Sequence, residues 1–196
     1  MSILTVLELL PLVGSLVLAF LPKDNSKLIK QVALVTSLVV AILSIWMATQ
    51  FDTSVSGFQF TESRSWISAF NINYAVGIDG MALALIVMST VLVPIVFLAG
   101  WHESEGGRFS VKTFYLLMLV LETMMIGVFA ALDFVLFYLF FEGGLIPMFL
   151  IIGIWGSDNR VYATFKFFLY TLLGSVLMLL GILWLYFQFG TTDIAE

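Results

Sequence analysis

Apolar residues in this chain come in long runs, each closed by a short polar break. Six runs approach the roughly 20 residues that a helix needs to cross a bilayer: residues 3–22, 28–51, 80–100, 112–131, 134–154 and 164–189. The breaks are "PKDNSK" after the first run, "HESEGGR" after the third, a lone Asp133 after the fourth and "GSDNR" after the fifth. None has the look of an interdomain linker. The one long polar stretch lies between Phe51 and Asp79, where "FQF", "SWISAF" and "NINYAVGI" alternate in polarity. That alternation predicts a short hairpin or interfacial strands, and Trp66, Phe70 and Tyr74 suit a membrane interface. The first run lacks a basic region before it, contains Glu8 and is longer than the roughly 7–15 residue core of a signal peptide. It is read as a retained spanning helix, so the predicted architecture is all-α, a polytopic transmembrane helix bundle of about six spans in a single membrane domain.

Composition strengthens this picture. Of 196 residues, 61% are hydrophobic and only 11% charged, whereas soluble domains carry about 25% charged residues. The formal charge of −5 says little about binding partners, because in membrane chains the sidedness of Lys and Arg carries the information. Of the 8 basic residues only Arg64 falls on one side of the predicted topology; Lys23, Lys27, Lys30, Arg108, Lys112, Arg160 and Lys166 fall on the other. The first, third and fifth loops are therefore expected to face the cytoplasm or matrix, and both termini the opposite side. With no cysteine, disulfides, thiolate metal sites and cysteine-held iron–sulfur clusters are excluded from this chain.

Candidate chemistry lies in charges within the apolar runs. Glu122 sits near the middle of the fourth run and Glu142 well inside the fifth, in "FFEGGLIPMF". An acid at the bilayer centre costs about 2.5–3.5 kcal/mol on insertion scales and marks an ion or proton pathway by default. Beside Glu142, Gly143 and Gly144 permit close helix approach, and Pro147 frees the carbonyl of Gly143. Each acid is about ten residues from the turn at Asp133, so the two are expected at similar depth and could line one pathway. The alternative for each is a structural carboxyl hydrogen-bonded to a neighbouring helix. Lys166, near the start of the sixth run, either snorkels to the interface or begins a polar track with Tyr170 and Thr171. Glu8 is explained by tilt or an interfacial position, and Asp79 by capping of the third helix. His102, among glutamates on a loop, reads as surface chemistry, with no convergent ligand set around it. No phosphate loop, dinucleotide fingerprint or activated nucleophile is present, so the chain cannot by itself carry out redox chemistry.

The stretches "FFEGGLIPMFLIIGIWGSDNRVYATFKFFLYTLLGSVLML" and "VGIDGMALALIVMSTVLVPIVFLAGW" resemble the chain M family, subunit 4 in mitochondria, of proton-pumping NADH:quinone oxidoreductase, respiratory complex I. The resemblance runs from about Gly77 to Met178; the first two spans agree in general character. It implies an antiporter-like membrane subunit in which proton translocation is coupled to quinone reduction elsewhere in the complex. It makes Glu142 the fifth-helix acid, which in the family pairs with a lysine on the seventh helix, and Glu122 the fourth-helix acid that is also implicated. Lys166 lies in a family motif as a third candidate, while the family's principal channel lysines lie further along the chain than these residues reach. The family fold has about fourteen spans in two inverted five-helix repeats, so a partial antiporter-like fold is expected here, from a fragment, a split gene product or a truncated frame.

The resemblance also implies partners and place. NADH, FMN, iron–sulfur clusters and quinone are expected in other subunits and no cofactor in this one. The expected surroundings are other membrane subunits of complex I, lipid and protons, without nucleic acid, in a bacterial inner or mitochondrial inner membrane. Alternative readings are a subunit of a multisubunit cation/proton antiporter or membrane-bound hydrogenase, which share the fold and the acid, and a structural or assembly fragment that does not conduct protons.

Overall fold

In a computed structural model, residues 2–23, 25–101 and 110–194 are described; His102 and Arg108 lie outside them. Six helices follow the apolar runs: α1 (Ile3–Phe20), α2 (Ser26–Thr49), α3 (Gly80–Ala99), α4 (Val111–Ala130), α5 (Phe134–Trp155) and α6 (Arg160–Phe189). All six are long and apolar enough to cross a membrane. The sixth begins four residues earlier than the apolar run because the polar turn residues of "DNR" lead directly into it, which puts Lys166 nearly two turns inside the helix.

Helix starts are set by side chains that satisfy free backbone N–H groups. Ser2 accepts from Thr5 N–H, Asp79 from Ala82 N–H at 2.7 Å, and Asp133 from both Val135 and Leu136 N–H at 2.8 and 3.1 Å. At the opposite end of α1, Lys112 Nζ donates to the carbonyls of Ala19 and Leu21 at 2.7 and 2.8 Å, placing a cation on the negative end of the helix dipole. Lys30, buried near the start of α2, donates to the Trp101 carbonyl just past α3 and lies 5.4 Å from the Trp101 ring centroid. These contacts gather the first and third loops at one end of the bundle.

The other end is organised by the predicted hairpin. Strands β1 (Gln59–Ile67) and β2 (Ile72–Ile78) pair antiparallel, with Arg64 opposite Tyr74, and a short 3-10 turn, Ser68–Phe70, joins them. Asn71 takes the left-handed conformation at φ 55° that closes the turn, a region in which Asn is tolerated better than most residues. The open edge of β2 is covered. Leu132 N–H donates to the Ala75 carbonyl and Ile194 N–H to the Leu132 carbonyl, both at 2.8 Å, so the turn between α4 and α5 is held between β2 and the segment after α6. Trp66 and Phe70 are exposed on the hairpin, while Tyr74 turns inward.

Helix α4 is central and packs against α1, α2, α3 and α5, whereas α6 packs mainly on α5. Two apolar clusters fill the interior. One joins Leu4, Leu7, Val40, Met47, Ile86 and Ile126; the other joins Leu18, Ile29, Ala33, Phe97 and Leu119. Close approach of α4 and α5 depends on Gly127, where a Cβ would lie 2.5 Å from the Phe140 ring. Between α2 and α3, the Ser44 and Thr90 hydroxyls meet at 2.6 Å, a contact of the kind worth about 0.6 kcal/mol between membrane helices. The outward faces are apolar, with Leu169, Leu173, Leu177 and Trp184 along α6, as a surface in hydrocarbon requires.

Candidate acidic sites inside the helices

Glu122 is 0% exposed, and both carboxyl oxygens lack a hydrogen-bond partner among the described residues. Residues three and four apart share a helix face, so Leu119 and Ile126 show where it points. Leu119 belongs to the cluster with Leu18 and Ile29, and Ile126 to the cluster with Leu4 and Leu7. Glu122 therefore lies on the seam between the two clusters, on the face of α4 turned toward α1 and α2. A carboxyl so enclosed exchanges a proton only when water or another carrier reaches it.

Glu142 has different surroundings. On α5, Gly143 and Gly144 face α4: a Cβ at Gly143 would sit 2.9 Å from Met124 Sδ, and one at Gly144 3.5 Å from Met124 Cβ. Glu142, half-buried, is directed instead to the α6 side, where its carboxyl and the Ser175 hydroxyl both interact with the Tyr138 hydroxyl. Its Oε1 is buried and without a hydrogen-bond partner. Pro147, four residues beyond Gly143, is buried and leaves the Gly143 carbonyl without its helical donor. The two acids thus have different neighbours, α1 and α2 for Glu122 and α6 for Glu142.

Lys166 is not part of either site. It is exposed on α6, with Nζ 5.6 Å from the Tyr162 ring centroid and Tyr170 beside it. Ser175 is nine residues along the same helix, about two and a half turns, hence on the opposite face. Thr171 donates back to the Phe167 carbonyl at 2.9 Å and does not extend a track from Lys166 and Tyr170. Tyr138 and Ser175 were absent from the sequence expectations. The first was readable as the residue at i−4 to Glu142; the second is one small residue among many in α6.

Glu8 is 2% exposed and accepts the Tyr74 hydroxyl at 3.0 Å. It is buried against the hairpin rather than exposed by tilt. No group of three or more metal-ligating side chains occurs among the described residues.

The family model described as NADH-ubiquinone oxidoreductase chain 4, amino terminus, matches residues 6–128, and that described as NADH:quinone oxidoreductase/Mrp antiporter, TM, matches residues 131–196. The chain belongs to the NADH-ubiquinone oxidoreductase chain 4 family. It is 47% identical over 189 residues to NADH-ubiquinone oxidoreductase chain 4 of Arabidopsis thaliana, covering 96% of this chain and 38% of that protein. It is 45% identical over 197 residues to NADH-quinone oxidoreductase subunit M of Rhodobacter capsulatus, covering 98% and 37%. This chain 4 family member therefore spans under two fifths of the length of those relatives.

Solved structures agree on the fold. A chain of respiratory complex I from Thermus thermophilus superposes with a TM-score of 0.80 at 25% identity, over 97% of this chain and 38% of that one. The Mrp complex from Dietzia sp. DQ12-45-1b gives 0.70 at 16% identity, over 99% and 20%, a likeness of fold alone. The chain 4 family member is thus a multi-pass membrane protein with an antiporter-like helix arrangement, and both family models meet at the turn between α4 and α5.

Proposed function

We propose that this chain lies in the membrane arm of a proton-translocating NADH:quinone oxidoreductase and supplies proton-transfer groups, Glu142 first and Glu122 second, to pumping coupled to quinone reduction. The observation that carries the reading is the Glu142 carboxyl itself. It stands within a spanning helix with one oxygen unpartnered, beside a tyrosine hydroxyl and below a proline-loosened turn, in a chain of the chain 4 family. An intramembrane acid with unused hydrogen-bonding capacity can take up and pass on a proton when water or a mobile cation approaches. Its carboxyl and Ser175 of α6 share the Tyr138 hydroxyl as a neighbour.

In this reading the chain holds no redox centre. NADH, FMN, iron–sulfur clusters and quinone belong to other subunits, and this chain is surrounded by further membrane subunits and lipid. The basic end faces the bacterial cytoplasm or the mitochondrial matrix. The high identity to chain 4 and subunit M proteins favours this over a cation/proton antiporter subunit, for which the support is fold and part of one family description.

The test is Glu142→Ala in the assembled complex, with proton pumping measured against NADH oxidation in proteoliposomes. Assembly is expected to persist and coupled pumping to be lost. Normal proton stoichiometry in the variant would overturn the role of Glu142 and leave a structural role for the chain.

A further inference from the structure

A third buried acid, Glu8, lies on α1, outside the α4–α5 region. Glu8 Oε2 accepts the Tyr74 hydroxyl at 3.0 Å, and the same hydroxyl lies 3.4 Å from Thr5 Oγ1. The Thr5 hydroxyl donates to Glu62 Oε2 at 2.7 Å, and Ser2 N–H donates to that oxygen at 2.6 Å. Glu62 Oε1 pairs with Arg64 at 2.7 Å, and the Arg64 side chain is 62% exposed. From Glu8 outward, the connection runs through two hydroxyl oxygens to the Glu62 carboxylate, whose side chain is 13% exposed on the hairpin.

We propose that Glu8 is a proton-binding site that exchanges with the aqueous face at the hairpin end through Tyr74, Thr5 and Glu62. In the outward direction the Glu8 O–H bond breaks as one forms on Tyr74 Oη. The Tyr74 O–H bond breaks as one forms on Thr5 Oγ1, and the Thr5 O–H bond breaks as one forms on Glu62 Oε2. One proton moves from Glu8 to Glu62 and both hydroxyls end neutral. Rotation of the hydroxyls resets the chain, and Tyr74 already has acceptors on both sides.

The end groups suit their parts. The Ser2 N–H and then the Thr5 hydroxyl hold Glu62 down to about 2, so a proton delivered there passes to water. Burial, opposed by the Thr5 hydrogen bond, raises Tyr74 above the ordinary phenol value, keeping its hydroxyl neutral as a carrier. A tie between α1 and the hairpin needs only neutral side chains; a carboxyl within the span carries an insertion penalty that a tie does not explain. The elements packed on α1 bring Tyr74 from β2, Lys27 and Lys30 from α2, and Lys112, Tyr115 and Glu122 from α4, and of these Tyr74 is hydrogen-bonded to Glu8.

The test uses the assembled membrane complex in oriented vesicles. The infrared carboxyl signal lost in Glu8→Gln identifies this residue, and a pH step on the hairpin side is expected to shift it. Tyr74→Phe and Thr5→Val should each slow that response roughly 100-fold, the lower range of a positioned proton-transfer group, while Thr5→Ser keeps the original rate. An unchanged rate in both Tyr74→Phe and Thr5→Val overturns the proposal, as does a Glu8 signal that never titrates. Glu142→Ala leaves this readout in place, so failure here and failure of the Glu142 reading are separate results.

Discussion

Glu62 shows how much a single surface acid can organise. It receives the backbone N–H of Ser2, the residue that caps α1, the Thr5 hydroxyl and the Arg64 guanidinium. Those donors favour the ionised form, with Ser2 N–H the largest influence, and bring the group from 4.5 to about 2. A group whose folded value is depressed contributes stability above its unfolded value and loses it as pH falls through the folded one. The contribution is therefore complete above about pH 4.5 and disappears toward pH 2. Glu62→Gln is expected to lower the thermal midpoint in detergent at neutral pH, with the gap to the unmodified chain closing as pH drops across that window. A gap independent of pH would mean that the charge of Glu62 plays no part.

At the scale of elements, Asp133 joins α5, the segment after α6 and β2, from which it accepts the Asn73 N–H at 3.4 Å. One carboxyl oxygen caps α5, and the other accepts the Thr192 hydroxyl at 2.6 Å from the segment after α6. Loss of an N-cap costs about 1 kcal/mol, and a buried hydroxyl left without its partner adds about 1–3 kcal/mol; Thr192 is buried. Asp133→Ala is thus expected to cost more than a cap alone, and hydrogen exchange should quicken both at the start of α5 and at 192–194. Asp133→Asn, which retains the capping oxygen, should protect the start of α5. Faster exchange at α5 only would show that the Thr192 contact contributes nothing.

Across the whole molecule, the two ends of the bundle have opposite chemistry. Lys112 and Lys30 draw the first and third loops together at one end, while the hairpin, the α4–α5 turn and the segment after α6 are hydrogen-bonded at the other. The sequence has no cysteine, so single cysteines report sidedness without background. Lys27→Cys and Asp158→Cys should react with an impermeant maleimide from the cytoplasmic or matrix side, and Ser65→Cys from the opposite side only. Labelling of all three from one side would contradict the orientation inferred from Lys and Arg.

Span number, the hairpin and the intramembrane acids were legible in the sequence because each follows from local pattern: run length against bilayer thickness, alternation of polarity, or a charge in an apolar run. What each acid faces was not. Helix α5 is apolar on nearly all sides, and such a helix carries little record of which face turns inward. Its rotation comes from contacts with other elements: Gly127 against Phe140, and Gly143 and Gly144 against Met124. These turn the face of α5 that carries Tyr138 and Glu142 toward Ser175 of α6, while Glu122 looks into α1 and α2. Lys166 and Ser175 lie on opposite faces of α6 by helix periodicity alone, and packing on α5 decides that the Ser175 face is the buried one. Glu8 meets Tyr74 across 66 residues, a proximity that depends on how the hairpin folds back under the bundle. Sequence by itself determined what crosses the membrane and where charge is buried; only the tertiary structure decided which charges have partners, because packing sets helix rotation.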